Sequence, residues 1–413
     1  MKKRYYLGID VGGSHITLDL VDADSLELRP GSTVREPLNT HTYPTAILDV
    51  FEQAICRCAA KVGPDKVLGV GLAIPGPFNY EEGICRITPY QNKYEQMFGV
   101  NFRQYLSNAL GTASKPVVFN NDAACFALGE YFRGGAKGAR RPVVVTLGTG
   151  FGASFLKDGR PQTTGTDVPP DGELWHVPYK TGIADDFFST RWLVAEWQRL
   201  TGQAVPGGKE IAHAALKGDT TAQQVYRTFG LNLAEFVTPW LLKFGADAFV
   251  IGGNIARDWN LFAPAFEAEL AKRLPAGVAV QVKPCELGEQ APVFGAALAQ
   301  TLIDPATTTP RPLPKDFPDF DGVLEQLRMC KQALIDGSGN VPWKDLVAAL
   351  DAALRAAGVK TVWFDVNAAR KNGELDTNAL ANIRPDMKAD LCVAVGKGAG
   401  EVPWTAATRI VLA

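Results

Sequence analysis

The 413-residue chain lacks any apolar run near the roughly 18–20 residues that a transmembrane helix requires. Its start, Met-Lys-Lys-Arg, has the charge of a signal-peptide n-region, but Tyr5 to Asp10 provide no apolar core behind it. The expectation is a cytoplasmic protein without a membrane partner. An excess of one charge is also missing. Forty-two Lys and Arg face 44 Asp and Glu, for a net charge of -2, and no like-charged block stands out. No nucleic-acid surface is therefore expected. Histidine is scarce, with four in the chain. Cysteine is both odd in number and scattered: Cys56, Cys58, Cys85, Cys125, Cys285, Cys330 and Cys392 do not form a disulfide framework. They read as reduced packing thiols, with Cys56 and Cys58 on different faces of one helix.

What is present is ordinary globular composition, 46% apolar and 21% charged, in a chain long enough for two or three domains. Tyr5 to Val21 reads as strand, glycine turn and strand, with alternating polarity from Ser14 onward. A helix is predicted over 45–61, and a strand over 66–73 that ends at Pro75-Gly76-Pro77. Residues 101–111 look helical, 116–120 form a short buried strand, and 123–133 a helix. At Pro142 the pattern restarts: strand 143–147, turn Gly148-Thr149-Gly150-Phe151-Gly152, and returning strand 153–157. Two copies of one strand–turn–strand unit suggest a duplicated domain.

Residues 159–182, rich in Gly, Pro, Thr and Asp, read as a long loop of the functional kind. Helices are expected over 186–200, 208–217 and 220–244, then a strand over 247–251 running into Gly252-Gly253-Asn254. The helix 292–302 places Gly295, Ala296, Ala297 and Ala299 for close packing. A Pro-rich linker over 304–321 leads to a small α/β appendage, 322–413, with strand–loop units over 333–340 and 391–400, strands over 361–366 and 409–413, and a helix over 343–357. Within it, Ile335-Asp336-Gly337-Ser338-Gly339-Asn340 has the glycines of a phosphate loop but no Gly-Lys-Ser/Thr, so a packing module or the remnant of a fused domain is the expected reading.

Three glycine turns follow apolar strands: Gly12-Gly13, Gly148-Thr149-Gly150 and Gly252-Gly253. Bare backbone lets N–H groups approach a phosphate. Asp10, ending the first strand, can hold Mg²⁺ directly or through water, or can be a surface Asp beside a plain hairpin turn. Asn121-Asp122 stands where strand gives way to helix. Asp122 is a candidate base for a hydroxyl, or simply a helix cap. Glu173 and His176, three apart in the long loop, can bridge neighbouring hydroxyls or form a loop ion pair.

The ordered set of Gly8–Gly13, Pro75-Gly76-Pro77, Asn121-Asp122-Ala123, Gly148-Thr149-Gly150, Glu173…His176 and Gly252-Gly253 resembles the ROK family (repressors, open reading frames, kinases) over about residues 4–302. The resemblance implies an α/β fold, the duplicated actin/hexokinase-type (ribonuclease H-like) two-lobed architecture, and ATP- and Mg²⁺-dependent phosphorylation of a hexose or N-acetylhexosamine. It implies an N-terminal lobe over 1–135 and a C-terminal lobe over 136–303. It makes Asp122 the catalytic base and Asn121, Glu173 and His176 sugar contacts, with Asp185 in place of a glutamate. Asp10, Gly12 and Gly13 match the first phosphate segment, Gly148, Thr149 and Gly150 the second, and Gly252 and Gly253 the adenosine segment. A homodimer is the expected assembly.

Two departures stand out. The family's usual glycine before the histidine is Trp175, which reshapes the sugar loop. The cysteine cluster that holds structural zinc in many members is missing, since no cysteine lies between Cys125 and Cys285. Two other readings remain open. A repressor of the family needs a helix-turn-helix module ahead of the kinase-like part, whereas the first strand begins by Tyr5. A catalytically idle sugar-binding protein would keep the sugar residues without the reaction.

Overall fold

A computed structural model of the chain describes residues 3–89, 93–107, 109, 115–303, 320–337 and 341–412. They group into two compact units, residues 1–122 with 296–413, and residues 123–295.

The first unit begins with β1 (Tyr5–Val11), β2 (His15–Asp22), β3 (Val34–Pro37), β4 (Val67–Ala73) and β5 (Val117–Asn120). They form one sheet in the order β3-β2-β1-β4-β5, antiparallel across the hairpins and parallel from β1 through β4 to β5. Register sets Asp10 opposite Ala73, and Ala73 opposite Asn120, so these residues share the carboxyl edge of the parallel part. The helix Pro44–Ala60 covers the sheet with Ile47, Leu48, Phe51, Ala54, Ile55 and Cys58, all buried. Apolar spacing of three and four produces that single face. Cys56 is exposed and Cys58 buried, as their spacing requires.

The second unit repeats the plan. β6 (Pro142–Leu147), β7 (Phe151–Lys157), β8 (Arg160–Pro161), β9 (Ala248–Gly252) and β10 (Gln281–Pro284) take the order β8-β7-β6-β9-β10. The hairpin strands are again antiparallel and the last two parallel. Equal strand order and equal sense in both sheets establish the duplicated actin/hexokinase-type fold.

Helices Thr190–Thr201, Gly208–Leu216 and Thr220–Phe244 fill this unit's core. The stretch expected as one helix over 186–200 is broken at Phe188-Ser189 into Ala184–Phe187 and Thr190–Thr201. The helix Trp259–Arg273 and strand β10 were not legible in the sequence. Pro264 reads as a breaker there, although Phe262, Phe266 and Leu270 bury one face. The expected helix over 101–111 is a five-residue helix, Phe102–Leu106, and residues 108 and 110–114 lie outside the described residues.

Glycine does its packing work where the helix Ala291–Ala299 begins. A Cβ on Gly295 would overlap the carbonyl of Cys125, and one on Gly129 the carbonyl of Ala291. The two helices of the second unit therefore meet backbone to backbone.

Of the linker expected over 304–321, residues 304–319 lie outside the described residues, while Phe320 and Asp321 open a helix, Phe320–Arg328. Beyond it come β11 (Gln332–Gly337), β12 (Thr361–Asp365), β13 (Leu391–Val395) and β14 (Thr408–Leu412), all parallel, in the order β12-β13-β11-β14. One face closes on its own core with the helix Trp343–Ala356. The other shares the core of the N-terminal sheet through Leu334, Val362, Phe364 and Val366. Polar links reinforce that junction. Buried Asp351 accepts from Gln104 Nε2 (3.0 Å), Trp363 Nε1 (2.8 Å) and Arg355 Nε (2.8 Å). Lys360 Nζ reaches Asp49 Oδ2 at 2.6 Å, and Asp386 Oδ2 accepts from the Thr45 amide at 2.7 Å.

At the end of β11 a carboxylate is bound by the protein's own amides. Asp336 itself accepts from the amides of Gly337 and Gly398 (2.8 Å each) and Gly400 (3.2 Å), which occupies these donors internally. Ser338, Gly339 and Asn340 lie outside the described residues.

Candidate active site

In the first unit, Asp10 is the penultimate residue of the central strand and Asp122 is the first residue of the helix Asp122–Arg133, just after Asn121 and β5. Helix N-termini favour a carboxylate through their unpaired amides and dipole. Asp122 is exposed. Asp10 is poorly solvated, and that burial, with the charge of Asp122 added, pushes its carboxyl up to about 7. The structure thus brings together two acids that the sequence separates by more than a hundred positions. Asn121 Nδ2 donates to the Tyr80 hydroxyl at 3.3 Å, and that hydroxyl donates to the Ile74 carbonyl at 3.3 Å.

The turn after β1 is held by Gly12 N–H to the His15 carbonyl (3.0 Å) and by the Tyr94 hydroxyl on the Gly12 carbonyl (3.1 Å). Tyr94 is buried, with φ of 53°. A Cβ added to Gly13 would meet nothing within 4 Å, and Gly13 is not in the left-handed region. Neither packing nor backbone conformation demands glycine there.

The second unit presents the same situation at Gly148, whose added Cβ would also meet open space. Gly150 differs, because a Cβ there would press on Asp185 Oδ1 at 3.0 Å. Asp185 Oδ1 accepts from the Phe151 amide at 2.7 Å, while Oδ2 takes the Arg191 guanidinium. Asp185 therefore ties the second glycine turn to the loop that precedes it. Thr190 closes the turn from the other side, through its amide (2.8 Å) and Oγ1 (3.0 Å) on the Gly148 carbonyl. Beside Thr149 a concavity of about 450 Å³ opens, lined by Thr190, Arg191, Val194, Gln198 and Pro206. Its size suits a small-molecule site.

Glu173 and His176 lie on the expected loop, which a run of internal bonds fixes. Buried Leu174 anchors it, and Gly172 takes φ of 68° with its amide on the Pro169 carbonyl at 2.9 Å. Glu173 Oε2 accepts from the Trp175 indole N–H at 2.5 Å, and the Trp175 and His176 rings meet edge to face at 5.1 Å. The Trp175 carbonyl accepts the Asp185 amide at 3.0 Å. Four of this unit's candidate features, Thr149-Gly150, Asp185, Glu173 and His176, are so joined in one bonded stretch.

Gly252 and Gly253 have an internal reason to be glycine. A Cβ would overlap the Phe126 ring at the first and the Leu147 carbonyl at the second, where φ is 88°. Sequence reasoning missed Arg191, Tyr94 and Tyr80. Arg191 meets Asp185 6 positions away, whereas Tyr94 and Tyr80 reach Gly12 and Asn121 over 82 and 41 positions. Among the described residues, no group of three or more His, Cys, Asp or Glu side chains is arranged to hold a metal. No helix is long and apolar enough to cross a membrane, again among the described residues.

Duplicated sheets of equal strand order, each with a glycine turn after its first strand, define the actin-like fold class. A model of the ROK family matches residues 6–301, and the chain belongs to that family. It is 28% identical to the glucokinase of Streptomyces coelicolor over 332 residues, covering 72% of this chain and 98% of that protein. It is 27% identical to the N-acetyl-D-glucosamine kinase of Shigella sonnei over 296 residues, 65% of this chain and 89% of that one. The crystal structure of the ROK hexokinase from Thermus thermophilus superposes with a TM-score of 0.60 at 23% identity, covering 72% of this chain and 98% of that one.

Proposed function

We propose that this protein transfers the γ-phosphoryl group of ATP to the primary hydroxyl of a hexose or N-acetylhexosamine, with Asp122 as the base. The protein is an ATP-dependent sugar kinase, as its kinship to glucokinase and N-acetyl-D-glucosamine kinase supports. The observation that carries the assignment of the base is the Asp10–Asp122 pair at the carboxyl edge of the first sheet.

Phosphoryl transfer asks a protein for alignment and charge neutralisation rather than covalent help. Asp122, solvent-accessible on a helix N-terminus, takes the hydroxyl proton as the sugar oxygen attacks. Each unit offers its own contact for a sugar hydroxyl, Asn121 in the first and the Glu173–His176 pair, one accepting and the other donating, in the second. Gly13 in the first unit and Gly148 in the second are each glycine where the fold does not require it, and each leaves a bare amide available to a phosphate oxygen. The concavity beside Thr149 takes the nucleoside.

Mg²⁺ fits this set. The ion commonly binds one or two carboxylates and completes its shell with water and phosphate oxygens. Asp10, poorly solvated and repelled by Asp122, would hold it, and the ion supplies charge neutralisation to the phosphates.

Asp122→Asn in a coupled ADP-release assay is the direct test. Turnover should fall roughly 10²–10⁴-fold with sugar binding retained. A variant that keeps more than about a tenth of its turnover removes Asp122 from the role. Sugar binding by the wild-type protein without ADP release would indicate an idle sugar-binding protein instead.

A further inference from the structure

Trp175 stands out among the tryptophans. The chain has eight, all among the described residues, and this is the exposed one, with 45% of its surface open. Exposing a large aromatic side chain on a loop otherwise pinned by internal bonds forgoes its burial, which normally stabilises a fold. Its orientation is nonetheless fixed. The indole N–H is spent on Glu173 Oε2 at 2.5 Å, the ring edge lies against His176 at 5.1 Å and 75°, and the backbone carbonyl holds the Asp185 amide. An ordered indole is thus presented beside both residues assigned to grip sugar hydroxyls.

We propose that Trp175 is the specificity-determining platform of the sugar site, packing its ring against the C–H face of a pyranose. A pyranose is amphipathic. Where the hydroxyls are equatorial, the axial C–H bonds gather into an apolar face that a flat aromatic surface can desolvate. An axial hydroxyl on that face would lose its water without a partner, and is rejected. The indole N–H has a second effect. In the free protein it satisfies the Glu173 carboxylate, and an arriving sugar hydroxyl takes over that acceptor. Stacked against the face that carries the axial C2 and C4 hydrogens, the platform favours sugars of gluco configuration, with or without a 2-acetamido group, over galactose, whose axial C4 hydroxyl stands on that face. The inference rests on the kinase reading of this site.

The test compares Trp175→Gly and Trp175→Phe with the full-length wild type, measuring KM and kcat for glucose and galactose and KM for ATP. Trp175→Gly should raise the KM for glucose about tenfold or more and shrink the glucose-to-galactose preference, with KM for ATP unchanged. Trp175→Phe keeps a ring face but no N–H, and should retain most of the preference. An unchanged preference in Trp175→Gly overturns the platform, and so does an equal rise in KM for ATP, which would mark general loosening. Wild-type protein that releases no ADP with any hexose sinks the kinase reading itself. Calorimetric titration of the same variants with glucose then still reads the platform, and equal affinities for wild type and Trp175→Gly refute it.

Discussion

The two halves of the duplicated fold share strand order, strand sense and a glycine turn after the first strand, yet they have been equipped differently. The first carries acids at its sheet edge, Asp10 in the strand and Asp122 on the following helix, close enough for one charge to disfavour the other. The second carries no acid in the corresponding turn. Its strand β6 ends in Leu147 and Gly148, and its nearby carboxylate, Asp185, is occupied by Phe151 and Arg191. What it carries instead is the long loop with Glu173, Trp175 and His176. Under the proposed function a repeated scaffold has divided its labour, with the catalytic base on one copy and, Asn121 apart, the sugar contacts on the other.

That division can be broken by experiment. The largest effect belongs to Asp122→Asn, in kcat, as stated above. Glu173→Gln should act on the other parameter. Losing a charged acceptor removes about 1.5–3 kcal/mol, so KM for the sugar rises roughly tenfold to a hundredfold while kcat falls far less. A comparable loss of kcat in both variants would erase the proposed separation.

Glycine substitutions sharpen the comparison next. Gly13→Ala and Gly148→Ala should leave thermal stability within about 0.5 kcal/mol, since open space surrounds both positions, yet raise KM for ATP several-fold. Gly71→Ala is the contrast, because its Cβ would overlap the Ala296 carbonyl. It should destabilise by about 1–3 kcal/mol or more, read in denaturant melts.

The smallest effect is electrostatic. The carboxyl of Asp10 moves from 3.8 to about 7 on folding, so between those values the folded state holds more protons than the unfolded one. Stability then falls as pH rises through that window. Metal-free Asp10→Asn should match wild type near pH 4 and melt above it at pH 8. Equal melting temperatures at both pH values would contradict the burial of that acid. Added Mg²⁺ should narrow the gap by stabilising wild type alone.

The sequence revealed much of this because its signals were local. Alternation in Ser14–Val21 and the restart at Pro142 disclosed the duplication, and apolar spacing disclosed the helix Pro44–Ala60. The small residues of Ala291–Ala299 were correctly read as packing contacts. What escaped notice depends on partners far away in the chain. Asp10 feels Asp122 only because β1, β4 and β5 lie side by side. Asp336 filling the amides at Gly398 and Gly400 could not be foreseen from a glycine-rich string alone. The helix Trp259–Arg273 was hidden by Pro264, which surrounding tertiary contacts tolerate.

The glucokinase of S. coelicolor is matched over 98% of its length by 72% of this chain, so the four parallel strands at the carboxyl end are an addition relative to it. Because Leu334, Phe364 and Val366 have been absorbed into the same apolar interior as β1 and β4, that addition has given up its independence. Trimming the polypeptide to the size of its shorter cousins would strip an inner surface bare, and the expected product is aggregate rather than a minimal enzyme.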